Sequence, residues 1–207
     1  MKTKLIVSLL ALVATFARAA EEKGACCSAC CAPDKTAAAP AAPISARSIY
    51  QLDATWTNDA GQRVALASLR GQPVVVAMFF ASCEYACPIL VHDMKRVRDA
   101  LPAEVRAKTR FVLVSFDTAR DTVAALHAYR ERSQLDDAWT LLRGDDDSVQ
   151  ELAMLLGVKY KQDARGQFSH SNLITVLNPA GEIAHQRAGL QGEIGDAARA
   201  VIASVTK

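Results

Sequence analysis

The stretch from Val74 to Pro88, VVVAMFFASCEYACP, decides the fold of this chain. Its first seven residues form an unbroken run of β-branched, apolar and aromatic side chains, which is typical of a strand buried on both faces. Proline is favoured in the first turn of a helix and damaging further in, so Pro88 predicts a helix that begins at about Cys87. The stretch therefore predicts a central strand, a loop that contains Cys83, and a helix.

Strands and helices alternate along the rest of the chain. Runs of strand composition occur at 111–116, 139–142 and 173–177, and apolar residues recur at helical spacing over 91–101, 123–129 and 149–156. A late hairpin turns at 178–181, and a last helix is expected over 194–205. The order of these elements is similar to the thioredoxin fold and predicts an α/β protein with a mixed sheet flanked by helices.

An N-terminal β-hairpin extension is expected before the central strand. The segments 50–52 and 64–66 flank the turn-rich residues 58–61, Asn-Asp-Ala-Gly, which read as a hairpin loop. In this interpretation the two flanking segments supply the paired strands.

The first 44 residues fall outside this pattern. Residues 1–19 have a basic start, an apolar run too short to span a bilayer and a small-residue end, which predicts a secretory signal peptide. Residues 20–44 contain four cysteines and then an Ala/Pro-rich stretch with little to bury, which predicts a flexible tail. We therefore expect one thioredoxin-like domain over 45–207, in a periplasmic protein without stable membrane insertion.

The charge of the chain is close to balanced. It has 24 Lys and Arg residues against 22 Asp and Glu residues. Cleavage of the predicted signal peptide would remove Lys2, Lys4 and Arg18. Such a balance gives no indication of nucleic acid or of an acidic membrane as a partner. We expect a monomer.

The pair Cys83 and Cys87 is better explained by chemistry than by cross-linking. Disulfides are the default in an exported protein, but a loop of three intervening residues stabilises little. At a helix start, unpaired backbone N–H groups favour the thiolate over the thiol. Thiolates are both nucleophiles and soft metal ligands, so the pair can close a disulfide or hold one metal ion.

A third ligand would come from the four histidines, which are His92, His127, His170 and His185. His92 lies about 140° further round the helix than Cys87, and His127 and His185 suit solvated or structural roles. His170 stands in a polar loop before 173–177, which would face the cysteine pair in a thioredoxin-like sheet. Two thiolates and one imidazole suit copper, whereas structural zinc prefers four ligands; zinc and inert buried cysteines stay open as alternatives.

The chain resembles the Sco/SenC family of copper proteins. The resemblance rests on three motifs: Cys83-x-x-x-Cys87-Pro88, Val114-Ser115-Phe116-Asp117 followed by Arg120-Asp121-Thr122, and Ser169-His170-Ser171. It implies that Cys83, Cys87 and His170 bind copper, as Cu(I) and Cu(II). It also implies a periplasmic copper chaperone for assembly of a respiratory cytochrome c oxidase, whose partner is the copper-receiving oxidase subunit or another periplasmic copper carrier.

Two residues depart from the family pattern. Glu84 stands where members usually have proline, and Ser169 stands where many have aspartate. A carboxylate beside Cys83 is expected to raise the pKa of its thiol or to add an oxygen near the metal.

The alternative function is that of a thiol–disulfide oxidoreductase acting through Cys83 and Cys87. Redox thioredoxins space their cysteines by two residues and use a cis-proline that faces them. This chain has three intervening residues and no proline between Pro102 and Pro179. We therefore expect a metallochaperone in which any catalysis is redox chemistry of the same pair.

Two further groups of residues have simpler interpretations. The tail cluster of Cys26, Cys27, Cys30 and Cys31 predicts either disulfides or a second soft-metal site that collects Cu(I). The acidic residues Asp117, Asp121 and 145–147 are expected to cap helices or to lie in loops.

Overall fold

The computed structural model describes residues 43–164 and 166–205. The predicted signal peptide over 1–19 and nearly all of the predicted tail over 20–44, with its four cysteines, lie outside the described residues. None of the described helices is long and apolar enough to span a bilayer.

The described residues form nine strands, five α-helices and two 3-10 helices. The strands are β1 (Trp56–Asn58), β2 (Arg63–Val64), β3 (Val74–Phe79), β4 (Arg110–Ser115), β5 (Trp139–Arg143), β6 (Tyr160–Gln162), β7 (Phe168–His170), β8 (Leu173–Leu177) and β9 (Ile183–Ala188). The α-helices are α1 (Ala86–Asp99), α2 (Ala103–Lys108), α3 (Val123–Arg132), α4 (Asp146–Leu156) and α5 (Gly195–Val205). The 3-10 helices cover Ile49–Gln51 and Leu66–Leu69.

Seven strands form one mixed sheet in the order β2-β1-β5-β4-β3-β8-β9. Strands β3, β4 and β5 are parallel, whereas the pairs β3–β8, β8–β9, β1–β2 and β1–β5 are antiparallel. Helix α5 packs on β8 and β9 and contacts α1, and α3 packs against β5. The predicted mixed sheet flanked by helices is confirmed.

The central strand β3 is buried along its whole length, as its apolar run predicts. All six of its residues are buried, and five of the six residues of β4 beside it are buried too. Full burial of such a side chain contributes roughly 1.5 to 3 kcal/mol to folding. Because β3 and β4 are parallel, their carboxyl ends lie on the same side of the sheet, where open α/β sheets place their ligands.

The N-terminal hairpin exists, but its strands are not the expected segments. Strands β1 and β2 pair at Trp56 with Val64, and β1 also joins the edge of the sheet through β5. The expected first strand at 50–52 is instead a 3-10 turn, in which Ser48 accepts a hydrogen bond from the Tyr50 N–H. That capping turn places Tyr50 in the buried core.

The first long helix ends earlier than its apolar spacing indicates. Helix α1 stops at Asp99, and Pro102 begins a second helix, α2, as its N-terminal cap. The other predicted strands and helices agree with the structure to within a few residues.

Candidate metal centre

The cysteine pair lies in the connection between β3 and α1. Helix α1 begins at Ala86, one residue before the predicted start, and Tyr85 is its N-cap. The backbone N–H of Cys87 donates to the Sγ of Cys83 over 3.3 Å. Cys83 is half-buried and Cys87 fully buried, and both are free thiols.

The two thiols have opposite electrostatic environments. A hydrogen bond from Cys87 and backbone N–H donors of the first helical turn lower the pKa of Cys83 to about 5, against the opposing effect of partial burial. The same hydrogen bond, burial and the nearby Asp121 raise the pKa of Cys87. The pKa of Cys83 is therefore lowered and not raised as expected from Glu84, because the hydrogen-bond donors to its sulfur dominate the shift.

His170 lies at the end of strand β7, not in the loop that the sequence predicts. It pairs with Tyr160 in the β6–β7 hairpin, a second two-stranded sheet. Its Nδ1 lies 3.2 Å from the carbonyl oxygen of Ser171, which can only accept a hydrogen bond. The neutral ring therefore carries its proton on Nδ1 and presents an unprotonated Nε2, which is the form that binds metals.

The structure brings Cys83, Cys87 and His170 together. Their ligand atoms all lie within 4.8 Å of one another, and Nε2 of His170 is 3.8 Å from Sγ of Cys87. Across residues 43–164 and 166–205, no other group of three potential metal ligands is found. The other histidines are outside this group, and His127 instead faces Glu131 on the exposed surface of α3.

An open cavity of about 590 Å³ adjoins the three residues. Its wall includes Cys83, His170 and the exposed side chains of Glu84 and Tyr85. Cys87 closes the inner end of the site, and Cys83 and His170 stand between it and solvent. A metal held here would be accessible to a ligand from a second protein.

Asp121 lies in the loop before α3, as predicted, but it does not cap the helix. It is buried, and its carboxylate accepts hydrogen bonds from the backbone N–H of Ala81 and from the hydroxyl of Ser115. Burial raises the pKa of this carboxyl. It therefore joins the ends of β3 and β4 beneath the cysteine loop, and Thr122 caps α3 in its place.

Asp117 is also buried rather than exposed at a helix end. Its carboxylate accepts hydrogen bonds from the backbone and the side chain of Arg120. Asp145 behaves as predicted, because it is the N-cap of α4 and accepts a hydrogen bond from the Ser148 N–H over 2.8 Å. The spacing of the acids along the chain gives no means of telling these buried roles from caps.

Sequence reasoning missed an aromatic cluster that surrounds His170. The ring of Phe116 lies 5.0 Å from the imidazole and is stacked on Tyr160, and Phe80 meets the imidazole edge-on at 6.0 Å. Phe168 packs against both Phe80 and Phe116. The available signal was the spacing of Phe168 and His170, because residues two apart in a strand share a face.

Comparison with known proteins now identifies the family. Residues 45–205 match the SCO1/SenC family. The chain belongs to the SCO1/SenC family. The resemblance drawn from the three sequence motifs is confirmed.

Individual relatives support the same assignment. The chain is 31% identical over 150 residues to the "Putative copper-binding protein" of Stutzerimonas stutzeri, with 70% of this chain and 72% of the relative covered. Copper-bound ScoI of Arabidopsis thaliana superposes with a TM-score of 0.63 at 18% identity, covering 73% of this chain and 95% of that one.

A second solved structure, of BsSco, connects the fold to thiol chemistry in a relative. BsSco is described as a member of the Sco family of cytochrome c oxidase assembly proteins, with a disulfide switch. It superposes with a TM-score of 0.63 at 23% identity, covering 73% of this chain and 91% of that one. At these identities, both structures establish the thioredoxin-like fold of this SCO1/SenC protein.

Proposed function

We propose that this protein is a periplasmic copper chaperone that carries copper as cargo on Cys83, Cys87 and His170. The observation that carries the proposal is the convergence of two thiol sulfurs and one imidazole nitrogen within 4.8 Å at the mouth of an open cavity. Copper-binding relatives support the choice of metal.

The chemistry of the donor set fits copper. Thiolate sulfur and imidazole nitrogen are soft to borderline ligands that suit Cu(I) and can be adapted to Cu(II). Structural zinc sites use four ligands. Within the described residues, no histidine, cysteine or acidic residue joins this group as a fourth ligand. The nearby carboxylate of Asp121 is already engaged by the N–H of Ala81 and by Ser115.

The accessibility of the ligands suits transfer rather than storage. The half-buried Cys83 lines the cavity, whereas Cys87 is completely buried. An incoming ligand can therefore displace Cys83 or His170 first while Cys87 still holds the metal. Stepwise ligand exchange of this kind is what a carrier requires.

The proposed client is the copper centre of a respiratory cytochrome c oxidase, received through an oxidase subunit or from another periplasmic copper carrier. Two features support this. BsSco belongs to a family of oxidase assembly proteins. The basic, apolar and small-residue pattern of 1–19 is that of an export signal.

A second function, thiol–disulfide exchange with a protein partner, is favoured by the unequal exposure of the two cysteines. The Cys83 thiolate would attack one sulfur of a partner disulfide, forming a mixed disulfide and releasing a partner thiolate. The Cys87 thiolate would then attack the Cys83 sulfur, leaving a Cys83–Cys87 disulfide and a reduced partner. Two electrons pass to the partner, and a thiol reductant must restore the pair.

The two functions are separated by titrating the reduced protein with Cu(I) and Cu(II). His170→Ala is expected to weaken Cu(II) binding by at least about 100-fold, because loss of even an outer-shell partner costs 10- to 100-fold. His127→Ala, which changes an exposed histidine, should leave binding unaltered.

The thiolate-to-Cu(II) charge-transfer absorption provides the second readout. Equal affinity and equal absorption in His170→Ala and the unaltered protein would show that the proposed site is wrong. Disulfide reduction that depends on both cysteines but is unchanged in His170→Ala would favour the oxidoreductase.

A further inference from the structure

The strand that carries His170 is not part of the main sheet. Strands β6 and β7 pair only with each other, and no strand of the seven-stranded sheet forms a ladder with them within the described residues. Beyond its short backbone links to α4 and β8, the hairpin is therefore held against the main body by side chains, which help to set the position of the imidazole relative to the cysteines.

Arg120 is a charged side chain that reaches the hairpin from the main body. Its guanidinium carbon lies 5.6 Å from the centre of the Phe168 ring. One of its terminal nitrogens lies only 3.5 Å from the position that a Cβ on Gly166 would occupy. Arg120 therefore lies over the Phe168 ring of the strand and beside the turn of the hairpin.

The guanidinium is held in that orientation by Asp117. The Asp117 carboxylate accepts hydrogen bonds from the backbone and the side chain of Arg120, and its own N–H donates to Ser115 over 3.0 Å at the end of β4. Because Asp117 is buried, this anchor belongs to the rigid edge of the sheet. A planar guanidinium that is fixed on one edge presents its face to an aromatic ring.

Holding Phe168 also fixes His170. The two residues are two apart in β7, so their side chains lie on the same face of the strand. Both rings contact Phe116, at 5.0 Å for each pair. A shift of Phe168 would therefore carry the imidazole with it.

We propose that Arg120, anchored by Asp117, is a positioning residue that clamps the β6–β7 hairpin so that His170 lies over the cysteine pair. The inference rests on the proposed copper site and extends it to residues that touch no metal. The clamp governs how long the imidazole stays on the metal, whereas the cysteines govern whether metal binds at all.

The test measures the rate at which Cu(II) passes from the loaded, full-length protein to a chelator. Loss of the guanidinium contact in Arg120→Gln should accelerate transfer by between about 2-fold and 30-fold, the range that the strength of a cation–π contact implies. Nitrogen hyperfine splitting from His170 in the electron paramagnetic resonance spectrum should weaken in parallel. Arg106→Gln, which alters an exposed arginine on α2, is the matched control.

A double-mutant cycle keeps the test decisive if Arg120→Gln folds poorly. Phe168→Leu removes the ring while the Arg120–Asp117 pair remains, and the double variant should release copper no faster than the faster single variant. Additive effects, or an unchanged rate and spectrum in Arg120→Gln beside an altered His170→Ala, would overturn the clamp. Absence of a thiolate–Cu(II) band in the unaltered protein would instead overturn the proposed function.

Discussion

Cys83 is expected to react as a thiolate at a pH where an ordinary cysteine is protonated. Its pKa is lowered to about 5 by the hydrogen bond from Cys87 and by backbone donors of the first helical turn. Above this pKa the thiol is ionised and reactive, and below it the rate should fall tenfold for each pH unit. Its half-buried sulfur opens on the cavity, so a small disulfide reagent can reach it.

The expected rate combines ionisation with intrinsic reactivity. At pH 6 such a thiol is about 90% ionised and free cysteine about 0.3% ionised, a ratio of roughly 300. A thiolate of this lower pKa is intrinsically less nucleophilic by about 25- to 60-fold. Cys83 should therefore react about 5 to 12 times faster than free cysteine at pH 6 and roughly 6 to 13 times slower at pH 8, with a crossing near pH 7.

The assay is stopped-flow absorbance with a dipyridyl disulfide between pH 4 and pH 8. The protein is the reduced, metal-free chain in which the four cysteines at 26, 27, 30 and 31 are replaced by serine. Cys87→Ala removes the thiol donor and should move the midpoint of the rate profile upwards. A rate that climbs tenfold per pH unit from pH 6 to pH 8 would refute the reasoning, since that is the behaviour of an ordinary thiol.

Two further predictions concern stability. Gly181 has a φ of +81°, and a Cβ there would clash with the ring of Tyr50, so Gly181→Ala should lower the free energy of unfolding by about 2 to 4 kcal/mol. Gly71 has a φ of +86° but open space around it, so Gly71→Ala should lower the free energy of unfolding by only about 1 to 2 kcal/mol. Equal losses for Gly181→Ala and Gly71→Ala in denaturant unfolding would contradict the clash with Tyr50. Arg130→Gln leaves the carboxylate of Asp59 buried and unpaired and should lower it by about 2 to 4 kcal/mol. Burial acts to raise the pKa of Asp59, but the hydrogen bond and charge of Arg130 outweigh it, so the pKa is lowered. The stabilisation by this ion pair is therefore present at neutral pH and is lost as the pH falls through that lowered pKa. Denaturant unfolding measured between pH 7 and pH 3 should show this loss in the unaltered protein and not in Asp59→Asn.

Elements with a strong local signal were predictable from the sequence. The run from Val74 to Phe80 is typical of a strand buried on both faces, and Pro88 is favoured in a first helical turn, so strand, loop and helix follow from composition and steric preferences. The family could be inferred in the same way, because its motifs are short and local. The hairpin at Trp56 was misplaced because Tyr50 and Leu52 also suit a strand, whereas the cap from Ser48 makes their segment a 3-10 turn.

The three residues of the proposed copper site differ in the same way in how far the sequence predicts them. Cys83 and Cys87 are four residues apart, and a loop before a helix is sufficient to bring them together. His170 is 83 positions beyond Cys87, and its approach depends on a hairpin held by Phe116, Phe168 and Arg120. The expected thioredoxin-like topology and the family resemblance pointed to the histidine but placed it in a loop rather than in β7.

By itself, the sequence determined the central strand, the thiol pair at a helix start and the family, since each is a matter of neighbouring residues and their steric and hydrophobic preferences. Only the tertiary structure decided which cysteine is more exposed and that Asp117 and Asp121 are buried anchors rather than helix caps. These properties depend on how the ends of β3 and β4 pack together, because burial and hydrogen bonding at each group depend on what packs beside it.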